Sequence, residues 1–297
     1  MSAWVLLAIF AAAFQTLRFV LQKHLSMGAL SVGGATFARF AYSMPFVLVL
    51  AAVYLGWMGA ALPRLGPLFW VYALTGGLAQ ILATWCMVAL FAARNFAVGI
   101  TFKKTETVQT ALIGFVLLGD RVSPWGMGAI LIGLVGVVVL SGGAGTDRWR
   151  IFNRAAALGL VAGALFAVSA VGYRGATLEV GSSDALTRAL VTLAAVTTSQ
   201  ALAMALWLRW REAGEIGRVI AARRTAVWIG LAGLGGSLCW FTAFTLQNAA
   251  YVFAVGQVEV IFSLIAARVF FGERITRREG VGVALVTASV LAVGFFR

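Results

Sequence analysis

Residues 96–123 read FAVGITFKKTETVQTALIGFVLLGDRVS. The stretch is long and apolar enough to cross a bilayer, yet Lys103, Lys104 and Glu106 stand near its middle. At the centre of an isolated span such charges cost at least about 2.5–3.5 kcal/mol each, and they persist where they face a bundle interior, a partner or a watery cavity. The stretch also has a counterpart later in the chain. At an offset of 153 residues, Asn95 falls on Asn248, Glu106 on Glu259, and Gly119-Asp120-Arg121-Val122-Ser123 on Gly272-Glu273-Arg274-Ile275-Thr276. Thr84 and Ser237, Cys86 and Cys239, and Phe91 and Phe244 keep the same offset. A charged span that recurs once points to two copies of one unit built around a central site.

Composition sets the class. Of 297 residues, 62% are hydrophobic and 11% charged, and the mean hydropathy is +0.96. Soluble domains carry about 25% charged residues, so this is an all-α polytopic membrane protein rather than a soluble one. The net charge of +13 sits in short segments between apolar runs, where membrane topology explains it and nucleic acid is not an expected partner. The two cysteines lie inside apolar runs, without the spacing of a disulfide framework or a metal site. Met1 to Val20 lacks a basic leader and an A-x-A site, so it is expected to be a span rather than a cleaved signal.

A helical span needs about 20 mainly apolar residues. Ten candidates fit: 3–22, 31–55, 67–91, 96–118, 124–141, 155–176, 185–208, 225–247, 250–271 and 278–296. Spans three and four, and spans eight and nine, are joined by so few residues that tight hairpins are expected. Spans one to five match spans six to ten, giving a first repeat over 1–141, a polar connection over 142–154 and a second repeat over 155–297. Five is odd, so the copies are expected to be inverted in the bilayer around a central cavity, the arrangement in which transporters hold substrate near the midplane. Thirteen of the 23 Lys and Arg lie in odd-numbered connections, and only Arg64, Arg121, Arg174 and Arg297 lie on the other side. The positive-inside rule then puts the odd connections in the cytoplasm and both termini outside.

Lys103, Glu106 and Thr110 share one face of span four, and Gly256, Glu259 and Ser263, with Gln257 alongside, form the equivalent face of span nine. These residues make a candidate substrate site. Its lysines suit a carboxylate or phosphate, and Glu106 and Glu259 suit an amine or a coupled proton. The competing reading is a Lys–Glu network that only fixes helix register. Lys104 lies about 100° round from Lys103 on a regular helix, so one is expected to bind and the other to pair or snorkel. Trp85 and Trp240 flank the cysteine positions and are candidate apolar walls; the other aromatics are expected to be lipid-facing or interfacial. Arg39 and Arg188 sit near span ends and suit headgroup anchoring, Arg18 lies close to Gln15 and Gln22, and Arg268 suits an acid, a headgroup or substrate. Gly280, Ala284, Ala288 and Ala292 form a small-residue ladder suited to contact with span five or a dimer, so monomer and homodimer both stand.

An enzyme is not expected. The single histidine, His24, lies at a span end, all three aspartates lie in connections, and no hydrolase, zinc-protease or phosphate-loop motif occurs. No cofactor or metal is expected. The partners are a small-molecule metabolite and membrane lipid.

Two five-span repeats resemble the drug/metabolite transporter superfamily in its EamA-type branch. The motifs that carry the resemblance are an Arg opening the second span (Arg39, Arg188), a short polar link before span four or nine, and a G-[DE]-R-[VI]-[ST] turn before span five or ten. It implies a basket-like bundle with a cavity lined mainly by the first four spans of each half, and walls that include Lys103, Glu106 and Glu259. It also implies a bacterial inner membrane and secondary transport of small organic solutes, commonly export of amino acids or exchange of phosphorylated solutes. Family precedent puts both termini in the cytoplasm, opposite to the charge count, and the doubled lysine departs from neutral amino-acid carriers and leaves room for an acidic substrate. Alternatives of other classes are a passive channel and a non-transporting scaffold.

Overall fold

The computed structural model describes residues 2–26, 30–91, 102–141, 154–262, 265 and 277–295. Asn95, Ser263, Arg268, Gly272 to Thr276 and nearly all of the 142–154 connection lie outside the described residues. Among the described residues there is helix and no strand. The helices are α1 (Ala3–Ser26), α2 (Val32–Trp57), α3 (Pro67–Phe91), α4 (Glu106–Leu118), α5 (Pro124–Ser141), α6 (Arg154–Glu179), α7 (Ala185–Arg211), α8 (Glu215–Ala221), α9 (Arg223–Leu246), α10 (Ala249–Gly256) and α11 (Arg277–Phe295). Six are long and apolar enough to cross a bilayer, and four shorter apolar helices accompany them.

Local chemistry sets the boundaries. Ser31 caps α2 by accepting from Gly34 N at 2.9 Å, and Asn248 caps α10 by accepting from Ala250 N at 2.9 Å. Pro67 and Pro124 open α3 and α5 at the position where a missing N–H costs nothing. Helix α4 ends at Gly119, whose φ of +67° is the left-handed conformation that glycine adopts without strain. Two features depart from the sequence reading. The 209–224 connection contains the short helix α8, and the charged spans are not continuous. Lys104-Thr105 and Gln257-Val258 are turns, with helix on both sides.

The strongest packing pairs are α3 with α6, α5 with α11, α1 with α9 and α2 with α7. Gly172 lets α6 approach α3 closely, since a Cβ there would lie 2.9 Å from Tyr72 O and 3.0 Å from Gly76 Cα. The α5 contact on α11 uses Gly282, Val286 and Ser289, and Ser289 Oγ donates to Ala129 O at 2.6 Å. Gly280, Ala284 and Ala288 are exposed, so the small-residue ladder is not the face that meets α5.

The outside of the bundle is apolar. Phe10, Val53, Val71, Leu112 and Leu206 are exposed along helix surfaces, and Trp57, Trp125, Trp210 and Trp228 are exposed towards helix ends. Hydrocarbon-facing side chains with tryptophan at the edges are what a bilayer solvates. Polar groups go inward: Arg18, Arg39, Lys103, Lys104, Glu106 and Glu259 are all buried.

Outside the spans, Asp184 joins three groups. It accepts from Thr187 N at 2.7 Å, Thr187 Oγ1 at 2.7 Å and Tyr54 Oη at 3.0 Å, tying the start of α7 to the end of α2. Partial burial pushes its carboxyl up, but these hydrogen bonds outweigh that and hold it below the ordinary value. The stabilisation is therefore complete at neutral pH and is lost as pH falls below about 3.9, the value in an unfolded chain, towards the lower folded value. Replacing Asp184→Ala removes the cap and is expected to cost about 0.5–2 kcal/mol. Detergent-solubilised thermal unfolding at pH 7 checks this, and an unchanged midpoint contradicts it.

Candidate functional site

The two charged turns meet at the centre. Lys103 Nζ lies 2.7 Å from Glu106 Oε1 and 3.9 Å from Glu259 Oε2, while Lys104 Nζ lies 2.5 Å from the same Glu259 oxygen. Gln15 of α1 adds a second hydrogen-bond donor to that oxygen at 3.0 Å. A regular helix would send consecutive lysines about 100° apart; Lys103 ends a helical turn and Lys104 enters the break, so both ammonium groups reach one carboxylate. The expectation that only one lysine faces the centre is thereby corrected. Glu106 is paired through one oxygen only, and its Oε2 has no hydrogen-bond partner among the described residues.

The other expected residues divide. Thr110 Oγ1 donates back to Glu106 O at 2.7 Å, and Gln257 Nε2 donates to Thr107 Oγ1 at 3.2 Å, so both are turned into local packing. Trp240 stacks on Phe244 at 5.6 Å and meets Phe253 edge-on at 5.3 Å, at a cavity wall. Trp85 packs edge-on against Trp207 at 4.7 Å and is not among the residues lining that cavity. Ser263 lies outside the described residues. Arg188 donates from Nε to Thr177 O at 2.7 Å and holds the α6–α7 turn.

The cavity itself centres on Arg39, which the sequence suggested was a headgroup anchor. Arg39 stands two turns into α2 and is 7% exposed. Its Nη1 donates to Thr84 Oγ1 at 2.9 Å, and its Nη2 lies 3.5 Å from Ser237 Oγ. With its amide oriented to satisfy both neighbours, Gln80 accepts from both terminal nitrogens at 2.9 Å and donates to Ser169 Oγ at 2.7 Å. A partly open cavity lies between Gln15, Arg39, Gln80, Ser169, Ser237 and an aromatic wall of Phe166, Tyr173, Trp240, Phe241, Phe244 and Phe253. A second, smaller space lies past Arg39 against Ser43, Thr197 and Gln200. Gln15 and Phe166 join cavity and ion pairs, since Gln15 bonds Glu259 and Lys103 Nζ lies 4.9 Å from the Phe166 ring centroid. Gln15, Gln80, Ser169 and Tyr173 carried no signal in the sequence beyond being polar in apolar runs.

Residues 153–295 match the model of the EamA-like transporter family. This match places the protein in the drug/metabolite transporter superfamily. A solved crystal structure, described only as that of a protein, shares the fold of this EamA-like chain with a TM-score of 0.72 and 16% identity, over 98% of this chain and 95% of the other. No curated protein matches by sequence. Among the described residues no group of three or more His, Cys, Asp or Glu comes together to hold a metal.

Clusters at the two ends of the bundle clamp helices from both sequence halves. Arg174 of α6 holds Asp120 through Nε at 2.6 Å and Nη2 at 3.0 Å, and Nη1 donates to Phe244 O and Gln247 O at 2.7 and 2.9 Å. At the opposite end, Glu215 accepts from Ser31 N at 2.6 Å, Glu212 accepts from Ser31 Oγ, and Arg218 pairs with Glu215. Two acids thus sit at the positive end of α2.

The central network makes a thermodynamic prediction. Glu259→Gln strips a buried carboxylate from two lysines and is expected to lower stability by about 3–5 kcal/mol. Lys104→Met combined with Glu259→Met is expected to cost less than the sum of the single changes, because the pair is lost together. Unfolding by denaturing detergent reads both, and a single-variant loss under about 1 kcal/mol, typical of an exposed pair, contradicts a desolvated network.

Proposed function

We propose that this protein is a secondary transporter that moves a small charged or zwitterionic metabolite by alternating access between two inverted five-span repeats. The observation that carries the proposal is the cavity at Arg39, lined from the first half by Gln15, Arg39 and Gln80 and from the second by Ser169, Ser237 and Trp240. A site shared between halves is where alternating exposure is geometrically simplest. Three features support the repeat. The helix breaks at Lys104-Thr105 and Gln257-Val258 stand 153 residues apart. Thr84 and Ser237, also 153 apart, both approach Arg39. Exchanging the halves turns the α1–α9 pair into the α6–α3 pair and leaves α2–α7 and α5–α11 unchanged. On this reading the ten apolar helices all cross the membrane, with repeats over 1–141 and 155–297. The Arg174–Asp120 clamp and the Ser31–Glu212–Glu215 clamp become the two ends that open in turn. Export is the direction that the family implies. Glu106, with one carboxylate oxygen unpaired, is the proposed proton carrier, and Glu259 is the anchor of the lysines.

Reconstituted vesicles test this. A pH gradient is expected to drive uptake of amino acids, organic acids or phosphorylated metabolites at least tenfold above protein-free vesicles. Glu106→Gln is expected to abolish the dependence on the gradient while leaving exchange, and Lys103→Ala to lower uptake. Normal folding and undiminished transport in both variants rejects the site. Flux that rises linearly without saturating identifies a channel, and no flux with any solute identifies a scaffold.

Orientation has its own test. The charge count supports the α7–α9 connection lying in the cytoplasm with the termini outside. Gly217 is exposed on α8 and its Cβ position meets no atom within 4 Å. Gly217→Cys, in a background where Cys86 and Cys239 are replaced by alanine, is expected to react with a membrane-impermeant maleimide only after lysis. Labelling of intact cells reverses the assignment.

A further inference from the structure

The lysines and glutamates of the central turns balance one another, two cations against two carboxylates. The arginines beside them do not balance. Arg39 bonds only hydroxyls and an amide, and its contact with Ser237 is long at 3.5 Å. Arg18, 2% exposed, donates to Gln22 Oε1 at 2.5 Å and lies 4.3 Å from the Phe19 ring centroid. Among the described residues neither arginine has a carboxylate within ion-pair distance. Both side chains cross one residue: a Cβ on Gly233 would lie 3.3 Å from Arg39 Cγ and 3.6 Å from Arg18 Cδ. The contrast within the same molecule is Arg174, whose guanidinium is matched by Asp120 and two carbonyls. Buried cations are ordinarily paired, because an isolated charge in an apolar interior is strongly disfavoured.

We infer that the solute supplies the missing counter-ion: the cavity binds a small organic anion whose acid group docks on Arg39 and whose apolar body lies on the aromatic wall. Arg18, behind Arg39, adds a second positive charge to the field at that point. The guanidinium fork suits the paired oxygens of a carboxylate or phosphate. Trp240, Phe241, Phe244 and Phe253 supply a face that a bare inorganic ion does not use. The lysines are already paired with acids, so they set the cavity's electrostatics rather than hold the anion. This assignment rests on the transporter reading and narrows its substrate class.

Purified full-length protein in detergent, unfolded thermally with solutes that share a phenyl body, decides the matter. The probes are 3-phenylpropionate, phenyl phosphate, 3-phenylpropylamine, 3-phenylpropionamide, phenylalanine and inorganic phosphate. The two phenyl anions are expected to raise the midpoint, and whichever acts at lower concentration separates carboxylate from phosphate recognition. Inorganic phosphate, without an apolar body, is expected to need at least tenfold more. Arg39→Gln is expected to weaken phenyl-anion binding about 10- to 100-fold, the loss of a charged hydrogen-bonding partner. Should that variant not fold, Trp240→Leu serves instead and is expected to remove the advantage of the phenyl anions over inorganic phosphate. Equal stabilisation by the amide, amine or phenylalanine overturns the assignment, as does unchanged affinity in folded Arg39→Gln. If the amine or phenylalanine stabilises and enters vesicles, the transporter reading stands and the anion falls. If the anions bind and none crosses, the anion stands and transport falls. If no probe binds and none crosses, both fall.

Discussion

One carboxylate oxygen, Glu259 Oε2, gathers Lys104, Lys103 and Gln15 at the buried centre of the bundle. In a medium without water that oxygen is the carboxylate acceptor of Lys104, and its removal leaves the Lys104 charge without its partner while Lys103 keeps Glu106. Three separate pieces of chain converge there: α1 through Gln15, the turn before α4 through the lysines, and the turn after α10 through Glu259 itself. The rest of the interior is arranged around that junction, with the aromatic wall on one side and Arg39 beyond it.

The junction exists because two helices are interrupted. An unbroken helix at Lys104 would spend the backbone groups of Lys104 and Thr105 on the ladder and divide the lysines between faces. The turn frees local geometry where it is covered by protein, the only place in a bilayer where irregular backbone is tolerated. Thr105 Oγ1 donates to Phe102 O at 2.7 Å and Thr110 Oγ1 to Glu106 O at 2.7 Å, so short polar side chains take up carbonyls near the break. Two such breaks, 153 residues apart, make a junction in which side chains, not lipid, surround the charges.

Charge and packing also divide the arginines by role. Arg174 and Arg188 lie towards one end of the bundle and are satisfied by backbone carbonyls, with Asp120 added for Arg174. Arg39 and Arg18 lie deep and are met by neutral groups. Residue type is identical in both sets. Depth and partner separate a clamp matched by acid and carbonyls from a buried guanidinium met only by neutral groups.

The amino-acid sequence by itself determined the membrane class, the positions of most helices and the offset of 153 residues that relates Glu106 to Glu259 and Thr84 to Ser237. Those follow from composition, run length and identity, which are local properties. It also marked Lys103, Lys104, Glu106 and Glu259, since charge inside an apolar run is conspicuous wherever it points. Only the tertiary structure decided that both lysines meet one glutamate, that Arg39 rather than a lysine faces the cavity, that Trp240 lines it while Trp85 packs elsewhere, and that α11 meets α5 through Gly282 and Ser289. The physical reason is that lipid is as apolar as a protein core. In water, hydrophobic periodicity tells which face of a helix turns inward; in a bilayer both faces read alike, and only the packed bundle shows which polar side chains found one another.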